Sequence, residues 1–247
     1  MPATHPPKGT LGTVRNASLL LDLLSKGPAF QQLSDLADRS GLSMPTVHRL
    51  LRSLVAAGLV EQDPASSRYG LGSELVRLAE SYVQRQPLLQ QLMPYVVDLR
   101  NRTRATVLVA MLIDDHVVYV ERIDGADRAL LRRIGRSFPA TSTAAGQLLA
   151  GRAGPGTWKR LTDAPDSPSL ADLETWSRAD HRIAPVDGLR DHLEVAVPVL
   201  RPDGTAAAAL AATGGPPSFA AQTLLEVVLP ELEQTAVLLE RMATNGW

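Results

Sequence analysis

Cysteine is missing from all 247 residues. Its absence removes disulfide frameworks, thiol nucleophiles, thiolate metal sites and iron–sulfur clusters together, and suits a reducing compartment. Aromatic residues are scarce at 4% of the chain, so a core has to be built from aliphatic side chains. Long apolar runs are missing too: the longest, 107–113 and 206–212, have seven residues each, far short of the roughly 20 that a membrane helix needs. The opening MPATHPPKGT has no apolar stretch of the signal-peptide kind and reads as a flexible tail. The expectation is a cytoplasmic protein without a membrane partner. Neither charge sign dominates, the net charge being −1. Residues 1–86 carry nine Lys and Arg against seven Asp and Glu, a net +2 that leaves −3 for the rest. So small an asymmetry matters only through where the charges sit. Phosphate-binding glycine loops, a GxSxG elbow and a dinucleotide fingerprint are absent, and no acid/base pair stands out, so no catalytic residue is assigned. His116, His181 and His192 lie far apart with no HxxxH spacing, and neither a metal nor a cofactor is expected.

Periodicity is what the chain does have. With 45% hydrophobic and 21% charged residues, it has the composition of a folded globular protein. Val14, Ala17, Leu20, Leu21 and Leu24 repeat at helical spacing until Gly27-Pro28. A short second helix carries Leu33, Leu36 and Ala37 and stops at Ser40-Gly41, where glycine supplies the positive φ of a tight turn. A third helix has Ser43 as its expected N-cap, Pro45 in the first turn, and Val47, Leu50, Leu51, Leu54 and Val55 as its buried stripe. Leu59–Gln62 and Arg68–Leu71 flank the turn Asp63-Pro64-Ala65-Ser66-Ser67, which predicts a hairpin. Helix-turn-helix followed by such a hairpin is a winged helix. A helix with Leu75, Leu78, Ala79 and Tyr82 on one face then runs to Gln86-Pro87 as a connector, and a stripe of that kind needs a partner, so this helix is expected to contribute to dimerisation.

Beyond Pro94 the pattern predicts a helix, strands at 106–113 and 116–123 around Asp114-Asp115, and further strands at 129–134, 193–200 and 205–213, the last two joined by Arg201–Gly204. Helices are expected at 143–150, around 158–161, around 170–177 and at 222–244. This half is α+β with an antiparallel sheet.

The run LSDLADRSGLSMPTVHRLLRSLVAAGLVEQD, then RYGLG and a connector helix, resembles the DNA-binding half of the IclR-type transcriptional regulators. MPYVVDLRNRTRATV, VVYVERIDG, RRIGRSFPATSTAAGQLLA, VAVPVLRPDG and LPELEQTAVLLERM resemble the second half of that family in order and spacing. The resemblance implies a flexible tail at 1–12, a winged helix-turn-helix domain at 13–72, a connector helix at 73–86 and a GAF-like effector-binding domain at 87–247. It also implies a regulator, not an enzyme, whose partners are double-stranded operator DNA, a small-molecule effector, and its own copies as a homodimer or dimer of dimers. The chain departs from the family's pattern in the effector half. It has Ala184-Pro185-Val186-Asp187 where an acidic cluster, a Gly and then a Cys are common before the strand. Glu194 stands at the Cys position, and Ala211 and Thr213 replace paired Ser residues.

Turning the third helix by about 100° per residue puts Pro45, Arg49, Arg52 and Ala56 opposite the apolar stripe, flanked by Thr46 and His48. Arg can bond guanine O6 and N7, Thr a thymine methyl or a phosphate, and helix N-terminal groups phosphate oxygens. Ser43, Pro45, Thr46, His48, Arg49 and Arg52, with Ser67 and Arg68 at the wing tip, are the expected DNA contacts. A solvated polar face is the alternative for the two arginines. In the effector half, the resemblance marks Thr143, Ala144, Ala145, Asp187, Glu194, Ala211 and Thr213. Ser142–Gly146 opens a helix whose N–H groups suit a carboxylate, or else forms an ordinary Ser cap. Glu194, if it points inward, requires a cation, a hydroxyl donor or its own proton. With two carboxylates and no Arg or Lys in this set, a neutral, hydroxylated or cationic effector is expected over a simple dicarboxylate. The competing class is an enzyme or small-molecule-binding protein whose winged helix contacts protein, for which an apolar patch should replace Arg49 and Arg52.

Overall fold

The computed structural model describes residues 12–126, 137–162, 167–186, 189, 191–215 and 221–243. Its contacts divide the chain into two compact units, Met1–Arg85 and Gln86–Trp247.

In the first unit, α1 (Gly12–Ser25), α2 (Leu33–Ser40) and α3 (Met44–Ala56) pack around Leu20, Leu24, Leu36, Val47, Leu51 and Leu54. Gly41 caps α2 at φ 67°, a left-handed conformation that costs glycine nothing and sets the short turn into α3. The wing is β1 (Val60–Gln62) against β2 (Tyr69–Leu71), antiparallel with Glu61 opposite Gly70. The sequence did not announce a third edge: Gln31 and Tyr69 exchange both backbone hydrogen bonds at 2.9 Å. The Gln31 amide also donates to the Leu23 and Leu24 carbonyls while its Oε1 accepts from Arg39 at 2.6 Å. One buried glutamine thus closes the end of α1, ties it to α2 and anchors the wing. Helix α4 (Glu74–Gln84) has no buried residue. Two expectations are corrected here. Gly12, placed in the tail, begins α1, residues 1–11 lying outside the described residues. Val55, placed in the stripe of α3, is 37% exposed, because it lies about 40° past Leu51 on the side away from Leu50 and Leu54.

The second unit has a six-stranded antiparallel sheet in the order β5-β4-β3-β8-β7-β6. Its strands are β3 (Thr106–Ile113), β4 (His116–Ile123), β5 (Ser137–Pro139), β6 (Arg182–Pro185), β7 (Leu193–Leu200) and β8 (Ala206–Gly214). One face, through Val107, Val109, Val195, Val197 and Leu210, packs with α5 (Pro87–Thr103) and α10 (Leu229–Ala243). A short α9 (Ala221–Thr223) and a π-helical turn, Leu224–Val228, lead into α10. The other face, through Leu108, Ala110, Val117, Ala196, Ala209 and Ala211, packs on α6 (Ala144–Gly151). Beside it stand α7 (Pro155–Thr162) and α8 (Leu170–Arg178), the latter opened by a full capping box between Ser169 and Asp172.

The helix expected beyond Pro94 in fact starts at Pro87, with Pro94 inside it. Pro87 costs nothing in a first turn, while burial of Leu88, Leu89, Leu92, Val96 and Leu99 offsets the one bond that Pro94 removes. Strands β5 and β6 were not anticipated, being three and four residues long and so below what periodicity resolves. The strand expected at 129–134 lies outside the described residues. A bulge between Val109 and Ala110 pairs Ala110 with Tyr119 but Val109 with Glu121, so strict alternation fails along β4.

Candidate nucleic-acid interface and effector site

Helix α3 holds its apolar stripe against α1 and α2, which leaves the opposite face to solvent. His48, Arg49, Arg52, Ser53 and Ala56 line a shallow groove there, with Pro45 exposed one turn earlier. Neither guanidinium forms an ion pair among the described residues, so the donors of both remain available. Ser43 takes the N-cap backbone conformation, φ −64° and ψ 143°, without capping by its side chain. Its hydroxyl pairs with that of Thr46 at 2.8 Å instead, a local alternative that competes with the expected cap. The Met44 N–H in the first turn is therefore not covered by the Ser43 side chain, Pro45 has no N–H, and Thr46 N–H donates to the Ser43 carbonyl at 2.9 Å.

The wing tip is organised by Asp63, which sequence reasoning treated only as a turn former. Its carboxylate accepts from the Ala65 and Ser66 N–H groups at 3.2 and 3.0 Å and from the Ser66 hydroxyl. These bonds, the Ser66 hydroxyl foremost, hold its carboxyl below the ordinary 3.8. Ser67 is left-handed at φ 57° and donates its N–H to the Asp63 carbonyl at 2.8 Å. Ser67 and Arg68 are thereby presented outward at the tip. Asp followed by Pro and Ser residues was the available signal.

In the second unit, α6 starts at Thr143, whose side chain accepts from Gly146 N–H at 3.0 Å. Ser142 is not the cap; it lies in a short 3-10 turn and bonds the Pro139 carbonyl. A Cβ on Gly146 would come within 2.3 Å of the Ala140 carbonyl oxygen, so only glycine allows α6 to sit this close to the turn. Glu194 points inward and is 6% exposed. Its Oε1 accepts from Ala145 N–H at 2.9 Å and its Oε2 accepts from the Tyr119 hydroxyl at 2.5 Å. Of the sequence-marked residues, Thr143, Ala144, Ala145 and Glu194 are thus brought together, Ala211 belongs to the same buried cluster, and Thr213 faces Glu194 across the β7–β8 ladder. Asp187 lies outside the described residues. Tyr119 was missed. It stands 75 residues from its partner, and only its rarity in an aromatic-poor chain marked it. Phe138 holds its ring edge-on at 6.0 Å. No cluster of three or more metal-ligating side chains occurs among the described residues.

Burial raises the Glu194 carboxyl above its ordinary 4.5, against the pull of its hydrogen-bond donors, and burial beside Glu194 raises Tyr119 as well. A raised carboxyl contributes stability that is complete below the unfolded value and is lost as pH climbs through the folded one. Glu194→Gln, neutral throughout, should remove that loss. The Tm advantage of the variant over the parent is expected to grow from pH 4 to pH 8, as near-ultraviolet circular dichroism would record; a constant difference would mean that Glu194 titrates as an exposed carboxyl does.

The IclR helix-turn-helix domain matches residues 13–64, and the C-terminal domain of the bacterial transcriptional regulator IclR matches residues 80–158. Together they take in just over half of the chain. The glycerol operon regulatory protein of Streptomyces griseus is 35% identical over 140 residues, 56% of this chain and 55% of that protein. The HTH-type transcriptional regulator XynR of Escherichia coli is 32% identical over 138 residues, again 56% and 55%. The chain thus spans about half the length of the curated relatives it matches. Among solved structures, an IclR family transcriptional regulator from Brucella abortus superposes with a TM-score of 0.81 at 17% identity, covering 98% of this chain and 96% of that one. An IclR homologue from Microbacterium hydrocarbonoxydans in complex with 4-hydroxybenzoate gives 0.66 at 23%, covering 95% and 100%. A winged helix with a bare cationic face and an α6-capped antiparallel sheet are the two halves those matches describe, and the chain belongs to the IclR-type transcriptional regulators.

Proposed function

We propose that this protein is a cytoplasmic, DNA-binding transcriptional regulator, not an enzyme, whose operator affinity responds to a small molecule held in the second unit. The observation that carries the reading is the exposed face of α3. It sets Arg49 and Arg52, free of ion pairs among the described residues, on a winged helix whose tip presents Arg68. Ser43, Pro45, Thr46 and His48 complete the helix contribution and Ser67 the wing. The face is polar, which disfavours a winged helix built for protein contacts. Residues 13–72 form the DNA-binding domain, 73–86 the connector and 87–247 the effector domain. Thr143, Ala144, Ala145, Asp187, Glu194, Ala211 and Thr213 mark the effector position, and the 4-hydroxybenzoate complex of the Microbacterium homologue supports a small organic effector. No helix among the described residues is long and apolar enough to cross a membrane.

The test is binding of the full chain to duplex DNA from upstream of its own gene, read by fluorescence anisotropy at several salt concentrations. Specific binding with a linear log–log salt dependence is expected; equal affinity for an unrelated duplex would defeat the reading. Arg68→Ala should weaken binding to all sequences alike and reduce the salt slope by about 1.

The protein acts as a homodimer or dimer of dimers, and symmetric protein predicts a partly palindromic site with half-sites spaced near one helical turn or a multiple of it. Support comes from α4, where Val76, Leu78 and Tyr82 are 70%, 45% and 50% exposed. Apolar side chains this open need cover from elsewhere. Leu78→Glu with Tyr82→Glu should shift the sedimentation of the full chain towards monomer while leaving its circular dichroism unchanged; an unaltered oligomer would assign assembly to other surfaces.

A further inference from the structure

A helix N-terminus attracts anions, because its first N–H groups lack helical partners and the helix dipole is positive there. At the start of α6 that position is already taken by the chain itself. Glu194 reaches it from β7 and accepts from the Ala145 N–H, while Tyr119 from β4 closes the other oxygen. Strands β4 and β7 are separated by β3 and β8. Their side chains meet over a floor that includes the single methyl groups of Ala110, Ala209 and Ala211. The donors surround the carboxylate as they would a bound acid. A second observation marks the same place. Thr213 lies directly opposite Glu194 in the ladder, so the two side chains leave the same face of the sheet. Its hydroxyl is the one buried side-chain polar atom without a hydrogen-bond partner among the described residues. Buried hydroxyls are nearly always paired, and no described residue supplies the missing polar partner.

We propose that Glu194 is a built-in carboxylate ligand that fills the anion position of α6, so that the second unit excludes acids and takes an uncharged or cationic, hydroxylated molecule that pairs with Thr213. The inference rests on reading the second unit as the effector domain. An acid entering this face finds the anion position at the start of α6 already filled by the chain's own carboxyl group. A hydroxyl or amine meets an unused hydroxyl and a nearby carboxylate.

The experiment uses full-length protein and thermal melting, without DNA. Glu194→Ala removes the internal carboxylate, and acetate or formate should then raise Tm saturably by on the order of 3 °C or more. Acetamide, and chloride at equal ionic strength, should not. The parent protein and Glu194→Gln, which keeps the position filled, should gain nothing from acetate. An acetate response equal in parent and Ala variant, or absent from a folded Ala variant, overturns the proposal. Should the Ala variant not fold, calorimetric titration of the parent decides: no heat from acetate or benzoate beyond dilution supports the assignment, and binding of either with a change in tyrosine absorbance overturns it. Because none of these readings involves an operator, a failed acetate response leaves the DNA-binding reading standing, and a failed operator titration leaves this one standing.

Discussion

Replacing Arg49 and Arg52 together by alanine should lower operator affinity by about 2–6 kcal/mol, since a bidentate contact to a base contributes about 1–3 kcal/mol. At 1.4 kcal/mol per decade, the lower bound already means a loss of roughly thirtyfold. Both residues lie on the exposed side of α3, away from Leu50, Leu51 and Leu54, so the fold should survive. The measurement is a titration of parent and double variant against operator and scrambled duplexes at fixed salt. Loss confined to the operator identifies base readout, and equal loss on both identifies phosphate contact. Unchanged affinity for the operator in a folded double variant would remove α3 from the interface altogether.

A loss of stability of about 2–5 kcal/mol is expected from Leu51→Ala, the range for deleting a fully buried leucine side chain from a core that closes only partly around the gap. Leu51 is 0% exposed in the cluster that α1, α2, α3 and the wing share. Whole domains are stable by only about 5–15 kcal/mol, so a unit of this size loses a large fraction of its margin. Denaturant unfolding followed by circular dichroism would show the first transition moved to lower denaturant. DNA binding should fall with it and recover on cooling, unlike the temperature-independent loss in the double arginine variant. A shift below about 1 kcal/mol would mean that the three helices repack around the void.

The winged helix was legible because most of what specifies it is local, the Gln31–Tyr69 pairing being the exception. The stripe of α3, the glycine at position 41 and the Asp-Pro turn each act within a few residues, and the structure departs only at the margins, in Val55 and the Ser43 hydroxyl. The second unit was legible in its long strands and less so in its site. Glu194 gave no sign of direction, since alternation permits either face until the partners are known. Its partners come from β4 and α6, brought near by a sheet order that periodicity does not encode. The bulge at Val109/Ala110 further shifts which β4 side chains share a face, and no composition rule marks it. Pro94 misled because a helix breaker was weighed without the leucines that outweigh it.

The strand order also fixes a sequence of events during synthesis. β3 has β4 as one neighbour and β8 as the other, and Thr106 pairs with Thr213, about a hundred residues later in the chain. The wing, by contrast, closes within a dozen residues. Closing the long loop costs more entropy, and domains with such distant pairings fold more slowly. As the chain leaves the ribosome, the first unit has all its partners well before the second. Meanwhile β3 waits as an apolar strand with an open edge, the arrangement most prone to pairing with another chain. A stopped-flow refolding experiment should therefore resolve a fast phase for the first unit and a slower one for the sheet.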